Sequence, residues 1–211
     1  MRRDLLPGVM LYLVTDSTPR SGPVEEFLAR VIEAGVGMVQ LRERRLGDRE
    51  LLRAARAFSA VCRDNGALFV VNDRVDIAVL AGADGVHIGQ SDVHAEDVRR
   101  LAGEDFIIGL SSHSRDEFDA AHASAADYVG VGPVFETPTK PGRPAVGLEL
   151  VQYAAARASK PFFAIGGIGT ENVARVRAAG AKAISVVRAI SDVDDPDAAV
   201  RELLASMASP A

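Results

Sequence analysis

The chemistry this sequence could perform rests on two aspartates, four cations and a set of hydroxyl residues. Asp73 and Asp92 are the carboxylates; Arg42, Arg44, Lys140 and Arg188 are the cations; Ser111, Ser112, Thr137 and Thr139 supply the hydroxyls. Each follows directly on a short apolar run. Gln40, Arg42 and Arg44 alternate after Met38-Val, which sends them to one face. Asn72 and Asp73 follow Leu68-Phe-Val-Val71, and Gln90 and Asp92 follow Gly85-Val-His-Ile88. Converging guanidinium and ammonium groups with hydroxyls suit a ligand rich in phosphoryl oxygens: arginine offers a fork and lysine a point charge. Two carboxylates in such a cluster repel each other unless a hard cation joins them, and Mg2+ is held by one or two carboxylates, water and substrate phosphates. Singly, either aspartate could instead cap a helix, Asp73 ahead of Arg74-Val-Asp-Ile and Asp92 ahead of Ala95-Glu-Asp-Val. Gly166-Gly167, ahead of a helix expected at Glu171, offers bare N–H groups of the kind that hold a monophosphate. Two anion sites are therefore expected, one near Arg42 and Lys140 and one near Gly167 and Arg188. They point to two phosphorylated substrates.

The histidines say less. His87 lies mid-strand among apolar residues and reads as a satisfied interior group; His94 and His122 read as helix surface. His113 stands beside Ser111 and Ser112, but no Ser-His-Asp order emerges. Tyr12 reads as packing. Glu43 could pair with a neighbouring arginine as an ordinary surface ion pair.

These residues need a scaffold that brings many strand ends together. Strand-like runs at 10–16, 38–42, 68–71, 85–88, 106–110, 127–134, 162–165 and 183–187 alternate with helix-like stretches at 23–35, 48–62, 75–81, 95–101, 114–123, 148–158, 171–179 and 196–207. Asp48 and Ser114 are expected as caps. Continuously apolar strands separated by helices imply a parallel sheet covered on both faces. Eight such units in about 200 residues fit a (β/α)8 TIM barrel as one domain over 1–211, whose site lies at the C-terminal strand ends. A doubly wound sheet is the alternative, but its usual glycine fingerprint after the first strand is missing.

Composition narrows the partners. The 211 residues are 48% hydrophobic and 25% charged, a globular balance, and a net charge of −5 argues against nucleic acid. With 5% aromatics and no tryptophan, a base-stacking platform is not expected. Cys62 has no mate for a disulfide, which points to a reducing, cytoplasmic setting. No apolar run approaches the ~18 residues of a membrane span, and Met1 to Pro7 is too short and mixed for a targeting signal.

Taken in order, Gln40-Leu-Arg-Glu-Arg44, Val71-Asn-Asp-Arg74, Val86-His-Ile-Gly-Gln-Ser-Asp92, Gly109-Leu-Ser111, Gly132-Pro-Val-Phe-Glu-Thr-Pro-Thr-Lys140 and Ala164-Ile-Gly-Gly167 resemble the thiamine phosphate synthase family over nearly the whole chain. The resemblance implies a (β/α)8 barrel that joins a hydroxymethylpyrimidine diphosphate to a thiazole phosphate with Mg2+ and releases diphosphate. It implies that Gln40 and Asn72 hold the pyrimidine. Arg42, Ser111 and Lys140, with Arg44 beside them, would hold the diphosphate and carry the catalysis. Asp73 and Asp92 would bind Mg2+, and Thr137, Thr139, Gly167, Val187 and Arg188 the thiazole phosphate. The family usually has lysine at the position of Arg44. Phe135-Glu136-Thr137 and Arg-Glu-Arg are similar to a sister group, the thiazole tautomerases, so an isomerase is the first alternative. A non-catalytic thiazole phosphate-binding regulator is the second. The family's partners are small phosphorylated molecules, with homo-oligomers possible.

Overall fold

The structure, a computed structural model, describes residues 2–137 and 144–208. Eight strands, β1 (Leu11–Thr15), β2 (Met38–Leu41), β3 (Leu68–Asn72), β4 (Gly85–Ile88), β5 (Ile107–Ser112), β6 (Tyr128–Val131), β7 (Phe162–Ile165) and β8 (Ile184–Val186), pair in parallel in sequence order, and β1 closes on β8 as a barrel. The intervening helices are α1 (Val24–Glu33), α2 (Asp48–Asp64), α3 (Val75–Ala81), α4 (Ala95–Ala102), α5 (Arg115–Ala123), α6 (Gly147–Arg157) and α7 (Val173–Ala178). After β8 come the short α8 (Arg188–Ser191) and α9 (Pro196–Ala208). The expected (β/α)8 architecture is therefore present.

Strand side chains alternate between two cores, which explains why the strands are apolar on both faces. Outward residues such as Leu13, Val39, Phe69, Val86, Ile108 and Val129 meet the buried stripes of the helices, among them Phe27, Leu28, Phe58, Phe118 and Leu203. Inward residues Tyr12, Val14, Met38, Leu68, Val70, Ile107, Tyr128, Phe163 and Ala183 fill the barrel itself. The inward parity also holds Gln40, Asn72, His87, Ser111 and Ser185, through partners such as Val14↔Gln40, Asn72↔His87 and Tyr12↔Ser185. Polar residues on that parity sit above the apolar layers, toward the C-terminal strand ends.

A 3-10 helix, Arg2–Gly8, closes the opposite end of the barrel; Leu6 and Val9 join the inner core. Arg2 pairs with Asp84 at 2.7 Å, and Arg3 pairs with Asp127. The carboxylates of Asp84 and Asp127 also accept from the N–H groups of Phe69 and Ile108, each at 2.8 Å, so the closure is tied into β3 and β5.

Two helix starts differ from the sequence reading and one agrees. Ser114 caps α5 as expected, accepting from Glu117 N at 3.1 Å. Asp48 does not cap α2: Gly47 holds the N-cap position, and Asp48 instead receives Arg74 at 2.7 Å. Helix α7 begins at Val173 rather than near Glu171, because residues 166–172 form a turn that places Asn172 at the N-cap. Helix α8 was not foreseen. At four residues it is too short to carry a helical period.

Candidate active site

A cavity of about 1310 Å³ opens at the C-terminal ends of the strands. Its wall includes Gln40, Arg42, Arg44, Asn72, Asp73, Asp92, Ser111, Thr137, Gly167, Val187 and Arg188. Eleven of the thirteen residues picked out from sequence thus share one wall, from seven different strand ends. The other two, Thr139 and Lys140, lie outside the described residues.

Asp73 and Asp92 meet across the ends of β3 and β4. Burial raises the Asp73 pKa above its ordinary value, and the charge of Asp92 and a carboxyl–carboxyl hydrogen bond raise it further; Asn72 and Arg42 work the other way. Neither aspartate caps a helix. The N-cap positions of α3 and α4 are Arg74 and His94, neither with a side-chain cap bond. Asp92 Oδ2 instead accepts from Gly89 N at 2.7 Å, which pins that carboxylate beside the strand end. Asp73 has a left-handed backbone, φ 62°, a conformation that Asp tolerates better than most residues. That rotation points its side chain back toward Asp92 rather than along α3.

Arg42 faces this acid pair. Its Nη2 is buried and has no hydrogen-bond partner among the described residues. Burial and the neighbouring Arg44 lower its pKa, while Asp73 opposes them. Glu43 does not neutralise Arg42. It pairs with Arg45 at 3.2 Å, accepts from Ser17 Oγ at 2.8 Å, and takes the N–H groups of Arg44 and Arg45. Burial opposes its charge, yet these bonds prevail and hold its pKa at about 2. Glu43 is thus the anchor of the β2–α2 loop, and the surface-pair alternative applies to Arg45, leaving Arg42 and Arg44 on the cavity wall.

The residues expected to form a second anion site lie across the ends of β7 and β8. Gly166 and Gly167 have φ values of 104° and 63°, and a Cβ on Gly167 would lie 2.7 Å from Glu136 O and 2.8 Å from Phe135 Cβ. Asn172 fixes this turn by donating to Gly167 O at 2.8 Å and accepting from Gly169 N at 3.0 Å. Opposite it, Val187 is the N-cap residue of α8 and Arg188 its first residue. Unbonded N–H groups at a helix start complement an anion.

Sequence reasoning missed several residues here. Tyr12, read as packing, and His87, whose reading as a satisfied interior group its hydrogen bonds match, both line the cavity and are hydrogen-bonded within it. Ser185 Oγ is buried at the same wall with no partner among the described residues. Strand parity was the available clue, since all three share the inward phase of Gln40 and Ser111. His113 is held locally by Glu117, at 2.9 Å. Among the described residues no group of three or more His, Cys, Asp or Glu forms a metal site.

The profile of the family described as thiamine monophosphate synthase matches residues 11–190. The chain belongs to that family. It is 48% identical over 208 residues to the thiamine-phosphate synthase of Acidothermus cellulolyticus, covering 98% of each chain. A second relative, the thiamine-phosphate synthase of Thermosynechococcus vestitus, is 48% identical over 199 residues. That match takes in 94% of this chain but 56% of the longer relative. Among solved structures, the thiamine phosphate pyrophosphorylase from Pyrococcus furiosus superposes with a TM-score of 0.85 at 33% identity, covering 97% of this chain and 96% of that one. As a member of the thiamine monophosphate synthase family, the chain is a transferase of thiamine biosynthesis. The tautomerase and regulator alternatives find no support among these relatives. Among the described residues no helix is long and apolar enough to cross a membrane.

Proposed function

We propose that this single barrel domain couples hydroxymethylpyrimidine diphosphate to a thiazole phosphate, giving thiamine phosphate and diphosphate, in a cytoplasmic setting. The observation that carries this reading is the buried Nη2 of Arg42, without a hydrogen-bond partner among the described residues, beside the neighbouring carboxyls of Asp73 and Asp92. A buried guanidinium N–H without an acceptor and two neighbouring carboxylates are both unfavourable alone; a diphosphate with a divalent cation satisfies both. Mg2+ fits the pair, because two carboxylates leave its remaining positions to water and phosphate oxygens. When bound, it would neutralise charge on the leaving diphosphate.

The protein's own groups do the rest. Arg42, Arg44, Ser111 and Lys140 hold the diphosphate oxygens and favour the charge that grows as the group departs. Gln40 and Asn72 hold the pyrimidine. Thr137, Thr139, Gly167, Val187 and Arg188 hold the thiazole phosphate, so the thiazole nitrogen faces the pyrimidine methylene. The methylene C–O bond breaks, its electron pair leaves with the diphosphate, and the nitrogen lone pair forms the new C–N bond. No protein nucleophile is required.

The test is diphosphate release from the full chain supplied with both phosphorylated compounds, with and without EDTA. Release that needs the thiazole phosphate and is lost in EDTA is expected. Folded protein that binds thiazole phosphate yet releases no diphosphate would overturn the reading.

A further inference from the structure

The interior of the barrel holds a continuous file of hydrogen bonds from one side of the cavity to the other. Gln40 Nε2 meets Tyr12 Oη, Tyr12 Oη lies 3.0 Å from Tyr128 Oη, and Tyr128 Oη lies 3.0 Å from His87 Nδ1. His87 Nε2 then lies 2.8 Å from Ser111 Oγ. The arrangement is built into the strands. A Cβ on Gly109 would fall 2.1 Å from Tyr128 Cζ and 2.6 Å from His87 Nδ1, and one on Gly130 would fall 3.2 Å from His87 Cε1. Glycine at these two inward positions clears the room that the two rings occupy.

Such a file has a direction, because each phenol has one proton to give and a neutral imidazole one N–H. Both phenols are fully buried, which raises their pKa values and keeps them protonated. With the Gln40 amide donating, the Tyr12 oxygen accepts and its proton must go to Tyr128. The proton of Tyr128 then goes to Nδ1 of His87. That nitrogen is therefore bare, Nε2 carries the hydrogen, and it donates to the Ser111 oxygen. The remaining Ser111 proton turns to the cavity. A reversed Gln40 amide, or a doubly protonated His87, would reverse the phenols.

We propose that Tyr12, Tyr128 and His87 are positioning residues, forming a one-way relay that fixes His87 as the Nε2–H tautomer and makes Ser111 a hydrogen-bond donor to an anion in the cavity. The anion is the diphosphate of the proposed function, and only this last link rests on that reading. Discrimination follows from the relay: a donor at Ser111 favours a phosphoryl oxygen and disfavours a ligand N–H at the same place.

The experiment is two-bond 1H–15N correlation on the full chain with 15N-labelled histidine, without substrate. The chain has four histidines, and His87→Gln identifies the resonance of His87. The Nε2–H tautomer is expected in the wild type. In Tyr128→Phe, which keeps the buried ring but cuts the file, that preference should be lost. The same variant should raise KM for the pyrimidine diphosphate about tenfold, the loss expected for one hydrogen bond to a charged group. KM for the thiazole phosphate should hold. The Nδ1–H tautomer or an imidazolium in the wild type would overturn the relay even if Tyr128→Phe failed to fold. So would a tautomer unaltered in folded Tyr128→Phe. Tautomer loss with an unchanged diphosphate KM would overturn the donor role of Ser111. A wild type that releases no diphosphate would sink the proposed function instead, with the tautomer still deciding the relay.

Discussion

Asp127 ties together three elements at the end of the barrel away from the cavity, and Asp127→Asn isolates stability from catalysis. The carboxylate accepts from Arg99 Nη2 at 2.7 Å and Ile108 N at 2.8 Å, and also pairs with Arg3. Its side chain is 5% exposed and that of Arg99 is 11% exposed. Asparagine keeps the shape but removes the charge that offsets Arg99, and its amide N–H must face a donor. Breaking one partner of a buried pair costs about 3–5 kcal/mol. Arg99 retains the carbonyls of Phe106 at 2.6 Å and Ala125 at 3.2 Å, so the lower end applies, about 3 kcal/mol. For a chain of this length each kcal/mol lowers the midpoint by roughly 2–4 °C, giving a fall of roughly 6–12 °C. Thermal unfolding by circular dichroism measures it, with kcat recorded where both proteins are folded. The midpoint should fall while kcat holds. A loss below about 1 kcal/mol, the size of a surface pair, would refute the reasoning; so would a changed kcat. The double variant Arg99→Met/Asp127→Leu should regain much of the loss, since apolar replacement of a whole buried pair is often neutral.

Three further outcomes are expected. Asp92→Asn relieves Asp73 of its like-charged neighbour, so the metal-free protein should melt higher while losing any Mg2+-induced shift in melting temperature. Retention of that shift would remove Asp92 from the cation site. Glu43 has a native pKa depressed to about 2. Its stabilising contribution is therefore complete above the ordinary carboxyl value and lost as pH falls from there toward 2. Denaturant unfolding should show Glu43→Gln flattening that acid slope, and an unaltered slope would discount the loop anchor. Gly167→Ala forces a Cβ against Glu136 O and Phe135 at a φ of 63°, costing about 1–3 kcal/mol. It should weaken thiazole phosphate binding, by calorimetry, more than diphosphate binding; equal losses would place the second anion site elsewhere.

Much of this protein is determined locally and could be taken from the sequence. Eight apolar runs separated by amphipathic stretches admit few topologies, because parallel strands buried on both faces need a helix between each pair. Once the barrel is accepted, strand ends become site positions, and the residues from Gln40 to Arg188 fall on one wall because the chain delivers each at the same end of a strand. The tertiary structure decided which partner each group has. Asp73 and Asp92 are each credible caps in sequence, and only the pairing of β3 with β4 and the left-handed turn at Asp73 bring their carboxyls together. Glu43 is adjacent to both Arg42 and Arg44, yet the loop gives it to Arg45 and leaves Nη2 of Arg42 without a hydrogen-bond partner among the described residues. Tyr12, His87 and Tyr128 lie far apart along the chain and look like core. Barrel closure sets their polar tips in contact, over space that Gly109 and Gly130 leave open. Periodicity reports the face on which a side chain lies; which atom it meets across the barrel depends on register and closure, and those arise only from the folded whole.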